Sequence, residues 1–182
     1  PATTWGQQGF LHEYVTLPRS ASSATIQAPA GAILCEVYAL AGEDVPDWVQ
    51  VWQPPCEDAD LLVLPTHADD EHLWFGGAMP YYAGEQGMAV QVAYMTNHWG
   101  EPYRPHELLD GLWTVGVKHY PVISDFPDLY ASKASLESAI QVYGEDTITA
   151  WQVELLRRFK PEVVVAHDIN GEYGHGAHQL NA

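Results

Sequence analysis

The sequence Thr66-His67-Ala68-Asp69-Asp70-Glu71 directly follows a short apolar run, Leu61-Leu62-Val63-Leu64-Pro65. A short apolar run bounded by turn-forming and polar residues is typical of a buried strand. We therefore interpret residues 66–71 as the loop after a strand, where open α/β sheets hold their ligands. One imidazole and three carboxylates so close together repel and resist desolvation, and a bound cation is the simplest way to make such a cluster favourable.

The length and composition are those of a globular protein. With 182 residues, 47% of them hydrophobic, the chain can bury a core for one domain, or for one domain with a small appendage. The net charge of −17 would repel a phosphate backbone, so nucleic acid is not an expected partner. No apolar run approaches the roughly 18 residues that span a bilayer, so membrane insertion is not expected either.

Residues 1–55 differ in character from the rest of the chain. Pro, Gly, Ser and Thr separate three short segments of β-like composition, at 24–27, 32–38 and 48–52. The third segment is β-branched and aromatic apart from Gln50, which suits a strand. We interpret residues 1–55 as a β-rich N-terminal segment that the residues Gln53-Pro54-Pro55 join to the next domain.

From residue 61 onwards the pattern alternates between strands and helices. Apolar runs predict strands at 61–64, 88–95, 120–123 and 162–166, the last of them buried. Helical spacing predicts helices over 106–115 and 147–159, with another that begins near Met79 because Pro80 cannot lie deep inside a helix. Strands separated by helices imply a mainly parallel sheet. We predict an α/β, Rossmann-like fold with flanking helices over residues 56–182, preceded by the β-rich segment.

A second polar loop follows the last predicted strand. It carries His167, His175 and His178 in a glycine-rich context. His67 and Asp70, three positions apart, suit Zn²⁺, and catalytic zinc takes three protein ligands and leaves one position for water. Because both loops leave the carboxyl ends of parallel strands, the second loop is expected to supply the third ligand. The alternative is that an Asp at a helix start simply caps that helix.

The two motifs together resemble those of the PIG-L/LmbE family of metal-dependent N-deacetylases. The family's first motif is A-H-P-D-D-E followed by Gly-Gly, and here residues 66–71 are followed by Gly76-Gly77. Its second motif, Tyr-Gly-His-x-x-His, matches residues 173–178. The resemblance covers residues 56–182 and leaves residues 1–55 outside.

The resemblance implies a role for each motif residue. It implies that His67, Asp70 and His178 bind the metal, expected to be Zn²⁺ with Fe²⁺ as the alternative. It implies that Asp69 is the general base on metal-bound water. It also implies that His175, as a cationic imidazole, stabilises the oxyanion or protonates the leaving amine.

Substrate contacts follow from the same resemblance. It implies that Tyr173 donates its hydroxyl to the oxyanion and that Arg104 and Asp128 contact the substrate. A salt bridge of Arg104 with Glu101 or Glu107 is the alternative, and a turn Asp after Pro is the ordinary explanation of Asp128. Glu71 is expected to anchor its loop through backbone N–H groups.

One departure from the family pattern concerns His175. Ala177 stands where many relatives have an Asp that orients this histidine, so we expect Glu172 or Asp168 to orient it instead. His167 is either structural or a support of the site. The remaining histidines of this domain are expected on the surface or in packing: His72, His98, His106 and His119.

The function implied is metal-dependent hydrolysis of an N-acyl amide, and the expected target is an N-acetyl group on an amino sugar or its conjugate. The partner is then a small N-acylated amino sugar, while the sequence does not fix the oligomeric state. The alternative is a non-catalytic carbohydrate-binding protein that retains the fold and the metal site. An intact Asp69 argues against that alternative, because a binding protein needs no base beside the metal.

The cysteines and the chain end give weaker expectations. Cys35 and Cys56 either form one disulfide or stay reduced. A disulfide and a β-rich appendage would favour a secreted or cell-envelope protein. A helix is expected to start at the last residues, 179–182, so we expect a longer protein truncated at its C-terminus.

Overall fold

A single parallel sheet with helices around it forms the body of the protein. The structure, a computed structural model, describes residues 12–32, 34–42, 44–101 and 103–182. Within these residues the strands are β1 (Leu61–Val63), β2 (Val90–Tyr94), β3 (Val122–Ile123) and β4 (Val163–Val165). They lie in the order β3-β2-β1-β4, and every pair is parallel. This confirms the predicted α/β, Rossmann-like sheet.

The helices connect and cover these strands. They are α1 (Asp70–Leu73), α2 (Arg104–Thr114), α3 (Leu136–Tyr143), α4 (Glu145–Phe159) and α5 (Gly176–Asn181). A π-helical turn spans Pro80–Glu85, and two short 3-10 turns span Tyr130–Lys133 and Glu172–Gly174. The helices predicted from apolar spacing, over 106–115 and 147–159, correspond to α2 and α4.

Strand β1 is buried on both faces of the sheet, and its alternating side chains divide the core. On one face Leu61 and Val63 pack with Leu109 of α2. On the other face Leu62 packs with Phe159 of α4. An uninterrupted apolar strand is what a sheet covered on both faces requires.

The pairing of β1 with β4 positions the functional loops. Leu61 lies opposite Val163 in the register, and the Leu64 N–H donates to the Val165 carbonyl at 2.9 Å. Because the strands are parallel neighbours, the loops that follow them emerge side by side at the carboxyl edge of the sheet. Those loops carry the two motifs, which lie about a hundred positions apart in the sequence.

The burial predicted for the strand at 162–166 is wrong. Strand β4 lies at the edge of the sheet, and Val163 and Val164 are 56% and 41% exposed. Consecutive valines indicate a strand, but composition does not distinguish a central strand from an edge strand. Only the register with β1 shows where the strand lies.

The β-rich N-terminal segment is also a wrong prediction for the residues that the structure describes. Between residues 12 and 55, with 33 and 43 excluded, the only ladder contact is an isolated bridge of Gln53 with His119. Val37 is 63% exposed and Trp48 is 59% exposed, and no strand among the described residues of this segment buries them. Residues 1–11 and Ile33 lie outside the described residues.

Trp52 nevertheless belongs to the core of the domain. It is 8% exposed and stacks on Tyr120 with ring centroids 5.4 Å apart. Gln53 then bonds to the backbone on either side of His119, since its N–H donates to Lys118 and its carbonyl accepts from Tyr120. The boundary at residues 55 and 56 stays a prediction, although the packing of the domain already includes Trp52.

The starts of three helical elements can be compared with the sequence predictions. Sequence spacing did not predict α3, whose start is capped by Ser135: its hydroxyl accepts from the Ser138 N–H. The terminal helix α5 begins at Gly176 and not at residue 179. Pro80 is the first residue of its π-helical turn, which confirms a helix start near Met79.

The cysteines form no disulfide. Cys35 is an exposed free thiol and Cys56 is a buried one. This removes the disulfide as a reason to expect a secreted or envelope protein. Among the described residues, none of the helices has both the length and the apolar character needed to cross a bilayer.

Candidate metal centre and active site

Three side chains from the two loops meet at one point. His67 Nδ1 lies 3.2 Å from Asp70 Oδ2 and 3.1 Å from His178 Nε2. The third side of the triangle, from His178 Nε2 to Asp70 Oδ2, measures 3.4 Å. His67 and Asp70 follow β1 and His178 lies on α5, so the neighbouring strands bring together residues that are remote in sequence.

The donor set and its spacing fit a tetrahedral metal ion. Ligand atoms about 2.0–2.1 Å from Zn²⁺ in tetrahedral geometry lie about 3.3 Å from one another. The three separations of 3.1, 3.2 and 3.4 Å agree with that value. Two imidazoles and one carboxylate also leave a fourth position open, as catalytic zinc requires.

A competing group of ligands shares two of these residues. Asp70, His167 and His178 also lie close enough together to hold an ion, and all three are buried. The backbone N–H of Thr66, however, donates to His167 Nε2 at 3.1 Å, which occupies the lone pair of that nitrogen. His67 Nδ1 faces Asp70 Oδ2 at 3.2 Å and His178 Nε2 at 3.1 Å and its side chain is partly exposed, so the set of His67, Asp70 and His178 is the better candidate metal site. A further group, His67, His175 and His178, also lies close enough together to hold an ion.

Asp70 is held in place from two sides. Its Oδ2 accepts the His67 N–H at 2.7 Å, and its Oδ1 accepts the Trp74 indole N–H at 3.1 Å. Burial alone would raise the pKa of Asp70, but hydrogen bonds to its carboxylate outweigh burial and hold that pKa well below its usual range. Asp70 is therefore a carboxylate whose position is fixed before any ion binds.

His178 and His175 are neutral in the free protein. Burial is the main reason that the pKa of His178 falls to about 4, and burial together with His178 and His67 lowers the pKa of His175 to about 4. A neutral imidazole is the form that binds metal. The positive charge expected on His175 is therefore not present in the free protein, because buried histidines so close together cannot all carry a proton.

His175 lies directly against the metal ligands. Its ring stacks on His178 with centroids 4.2 Å apart and approaches His67 at 5.0 Å. Its Nδ1 atom is buried and has no hydrogen-bond partner among the described residues. The expectation that Glu172 or Asp168 orients His175 is wrong: Glu172 contacts His167 and His178, and the Asp168 side chain accepts from Asn170.

Asp69 stands beside the metal ligands without belonging to them. Its side chain is 45% exposed, so a carboxylate oxygen is open to solvent. The Asp69 N–H donates to Glu71 Oε2 at 2.9 Å, which confirms Glu71 as the anchor of the loop. Glu71 is 1% exposed, and burial raises its pKa to about 7.

Arg104 contacts the first motif. Its Nη1 donates to the Ala68 carbonyl at 2.9 Å and lies 3.4 Å from Asp69 Oδ2. Glu101 and Glu107 are not its ion-pair partners within 4.0 Å in the described part of the chain. The guanidinium therefore holds the loop that carries Asp69.

Asp128 and His98 lie beside His67 and the loop of the first motif. Asp128 lies 3.6 Å from His67 Nε2 and 3.7 Å from His98 Nδ1, and its side chain is 43% exposed. His98 Nε2 accepts the Ala68 N–H at 2.9 Å. His98 was expected on the surface or in packing, and no local pattern in the sequence places it here.

Tyr173 lies at the mouth of the site. It is 68% exposed, and its ring centroid lies 5.7 Å from that of His178. Burial and then the carboxylates of Asp70 and Asp69 raise its pKa, so it keeps its hydroxyl proton. A cleft of about 300 Å³ opens beside it, lined by Tyr130, Lys133, Ala134, Tyr173, Gly174 and His175.

His167 and Glu172 make a contact that sequence reasoning did not predict. Both belong to the second loop, and their side chains meet below the metal ligands, where His167 Nδ1 contacts Glu172 Oε2. The side chain of His167 is completely buried. The ends of β1 and β4 have to be placed side by side before these contacts can be recognised.

Curated proteins similar to this chain are deacetylases of one kind. A protein of Salinispora arenicola is 27% identical over 146 residues, 66% of this chain and 47% of the relative. One of Acidothermus cellulolyticus is 26% identical over 145 residues, 65% of this chain and 49% of the relative. Both are named 1D-myo-inositol 2-acetamido-2-deoxy-alpha-D-glucopyranoside deacetylase, and the chain spans about half the length of these relatives.

A family model also matches this chain. The model described as "PIG-L: GlcNAc-PI de-N-acetylase" matches residues 61–181, from the start of β1 to the end of α5. This range contains both motifs and every residue placed in the site above. The chain therefore belongs to the PIG-L family.

Proposed function

We propose that the protein is a metal-dependent hydrolase that removes an N-acetyl group from an amino sugar or its conjugate. The observation that carries this proposal is the meeting of His67, Asp70 and His178 at zinc-like spacing. Asp69 stands beside them as a carboxylate outside the ligand set. A structural zinc would have four protein ligands and would need no such neighbour.

The metal would be held by His67 Nδ1, Asp70 Oδ2 and His178 Nε2. Zn²⁺, when bound there, supplies a Lewis acid that lowers the pKa of water to about 7 and polarises an amide carbonyl. The choice of zinc, with Fe²⁺ as the alternative, rests on two imidazoles and one carboxylate.

Asp69 would move the protons of the reaction. Its exposed carboxylate takes a proton from the attacking water as the new C–O bond forms on the amide carbon. The same proton then passes to the nitrogen of the leaving amine as the C–N bond breaks. The products are acetic acid and a free amine, and Asp69 is again a carboxylate. At neutral pH the acid then loses its proton to give acetate and the amine gains one.

His175 and Tyr173 would stabilise the oxyanion. Both are uncharged donors in the free protein, since the pKa of His175 is lowered and that of Tyr173 is raised. A hydrogen-bond donor aimed at the amide oxygen stabilises negative charge that develops only in the transition state. The buried His175 is fixed in place, whereas the exposed Tyr173 would close on the substrate.

The substrate is proposed from the relatives and the cleft. Both relatives are named for removing the acetyl group of a 2-acetamido sugar linked to inositol. The cleft beside His175 offers the faces of Tyr130 and Tyr173, and aromatic faces suit sugar rings. Asp128, partly exposed next to His67, would accept a sugar hydroxyl.

The test measures amine release and metal content together. Zinc-loaded protein is incubated with N-acetylglucosaminyl-inositol and with N-acetylglucosamine, and released primary amine is quantified. We expect turnover by the wild type, and a loss of about 10²–10⁴-fold in Asp69→Asn with zinc still bound. Saturable sugar binding by zinc-loaded wild type, without amine release from any acetamide, would contradict the proposal and favour a carbohydrate-binding protein.

A further inference from the structure

A partly buried carboxylate, that of Glu172, links the second motif to a histidine that the proposed reaction does not use. Glu172 Oε2 lies 2.9 Å from His178 Nδ1 and also contacts His167 Nδ1. The side chains of both histidines are completely buried, and that of Glu172 is 14% exposed. The two imidazoles stack with centroids 4.2 Å apart and planes 15° apart, so both present the same nitrogen to one oxygen.

The backbone fixes where the proton of His167 resides. The buried Thr66 N–H donates to His167 Nε2 at 3.1 Å, so that nitrogen is an acceptor. In a neutral imidazole the other nitrogen then carries the hydrogen. His167 Nδ1–H therefore donates to Glu172 Oε2 and holds the carboxylate in position.

Glu172 in turn favours the tautomer of His178 that carries its hydrogen on Nδ1. His178 Nδ1 makes no well-aligned hydrogen bond within the described residues, and Glu172 Oε2 is an acceptor within reach at 2.9 Å. A proton on Nδ1 leaves the lone pair on Nε2. That lone pair faces His67 Nδ1 at 3.1 Å and Asp70 Oδ2 at 3.4 Å, which is the centre of the metal site.

We propose that Glu172 is a positioning residue for the metal ligand His178, and that His167 holds Glu172 for this task. The chain from the Thr66 N–H through His167 and Glu172 to His178 joins the loop after β1 to the loop after β4. A carboxylate on the far nitrogen of a metal-binding histidine fixes its tautomer and raises its basicity. The inference rests on the metal site of the proposed function and not on the substrate or the reaction.

The first test uses the wild type alone. Nitrogen NMR of the zinc-free protein, with ¹⁵N in the histidine rings, distinguishes the two neutral tautomers. We expect His178 and His167 to carry the hydrogen on Nδ1, with Nε2 unprotonated in both. Hydrogen on Nε2 of His178 would overturn the proposal, whatever the protein does to any acetamide.

The second test measures zinc affinity by competition with a chromophoric chelator. We expect Glu172→Gln to lower the affinity by about 10–100-fold, since this is the usual cost of losing such a partner. Asp168→Asn is the matched control, because that side chain accepts from Asn170 in the same loop and, among the described residues, from no other group. We expect the control to keep the wild-type affinity.

Two further measurements show whether a loss of zinc affinity comes from the missing carboxylate or from misfolding. Circular dichroism of the zinc-free variants shows whether Glu172→Gln is folded, and Glu172→Asp keeps the charge on a shorter side chain. We expect Glu172→Asp to recover part of the zinc affinity lost in Glu172→Gln. A folded Glu172→Gln protein with zinc affinity within twofold of the wild type would overturn the proposal.

Discussion

His67 and His178 are 111 positions apart in the chain, and their Nδ1 and Nε2 atoms lie 3.1 Å from each other. Two neutral imidazole nitrogens at this distance cannot both direct lone pairs at each other without a proton or a cation between them. The pairing of β1 with β4 produces this contact, because the two loops leave adjacent parallel strands. The candidate metal site therefore depends on the sheet and not on either motif alone.

Removal of the His178 imidazole should disable metal binding. We expect His178→Ala to lower zinc affinity by more than about 100-fold, since loss of a ligand costs more than loss of its supporting partner. His119→Ala is the control, because that ring bonds to the Pro54 carbonyl and lies outside the site. Isothermal titration of the zinc-free proteins measures both, and a His178→Ala protein with wild-type affinity would refute the ligand set.

Arg104 should affect turnover through Asp69 and the Ala68 carbonyl. We expect Arg104→Ala to lower kcat about tenfold with zinc still bound, because a displaced base transfers protons poorly. A direct substrate contact, as expected from the sequence, would instead raise KM. Steady-state kinetics distinguish the two, with Arg104→Lys as the matched variant that keeps the charge, and a change in KM alone would contradict the positioning role.

Gly176 should tolerate no side chain. A Cβ at this position would lie 2.0 Å from the Ser135 carbonyl oxygen and 2.6 Å from that of Ser132. We expect Gly176→Ala to lower the free energy of unfolding by about 1–3 kcal/mol, as overpacking does. Gly77→Ala is the control, because nothing lies within 4 Å of a Cβ there. Urea denaturation of zinc-free protein measures the difference, and equal stabilities would contradict this packing of α5.

The two thiols should differ in reactivity. Burial is the main reason that the pKa of Cys56 rises from 9.0 to about 11, whereas Cys35 is exposed. Less thiolate is present at any pH below a raised pKa, so Cys56 should react far more slowly at pH 8. A colorimetric thiol reagent should titrate one thiol in the native protein and two in denaturant. Two fast-reacting native thiols, or none, would contradict the structure.

Local patterns in the sequence predicted the elements that local physics determines. The apolar run of β1 and the apolar stripe of α4 are recognisable in the sequence, because the buried face of each element repeats with the period of a strand or a helix. Helix α3 was not predicted, because its capping box pairs Ser135 with Ser138. The usual sequence signature of a capping box has Glu or Gln at the position of Ser138. The N-terminal segment has β-like composition, but a strand forms only where a second strand pairs with it.

For the candidate site, the sequence pointed to the motif residues, whereas the contacts that support them could not be predicted. Spacing and residue type indicated His67 and Asp70, and the resemblance to the PIG-L/LmbE family implied the roles of His178 and Asp69. The contacts of His98, His167 and Glu172 form only after β1, β2 and β4 lie side by side, so no local pattern in the sequence predicts these contacts. The charge of His175 also depends on burial and on His178, and the sequence alone shows neither.

X-ray absorption at the zinc edge tests most directly whether two remote loops hold one ion. The zinc-loaded protein should show four ligands of nitrogen and oxygen type at about 2.0–2.1 Å, two of them imidazoles. His178→Ala should show one imidazole fewer, at zinc concentrations that saturate the variant. A wild-type spectrum of sulfur ligands, or of six oxygens without imidazole, would contradict the proposed centre.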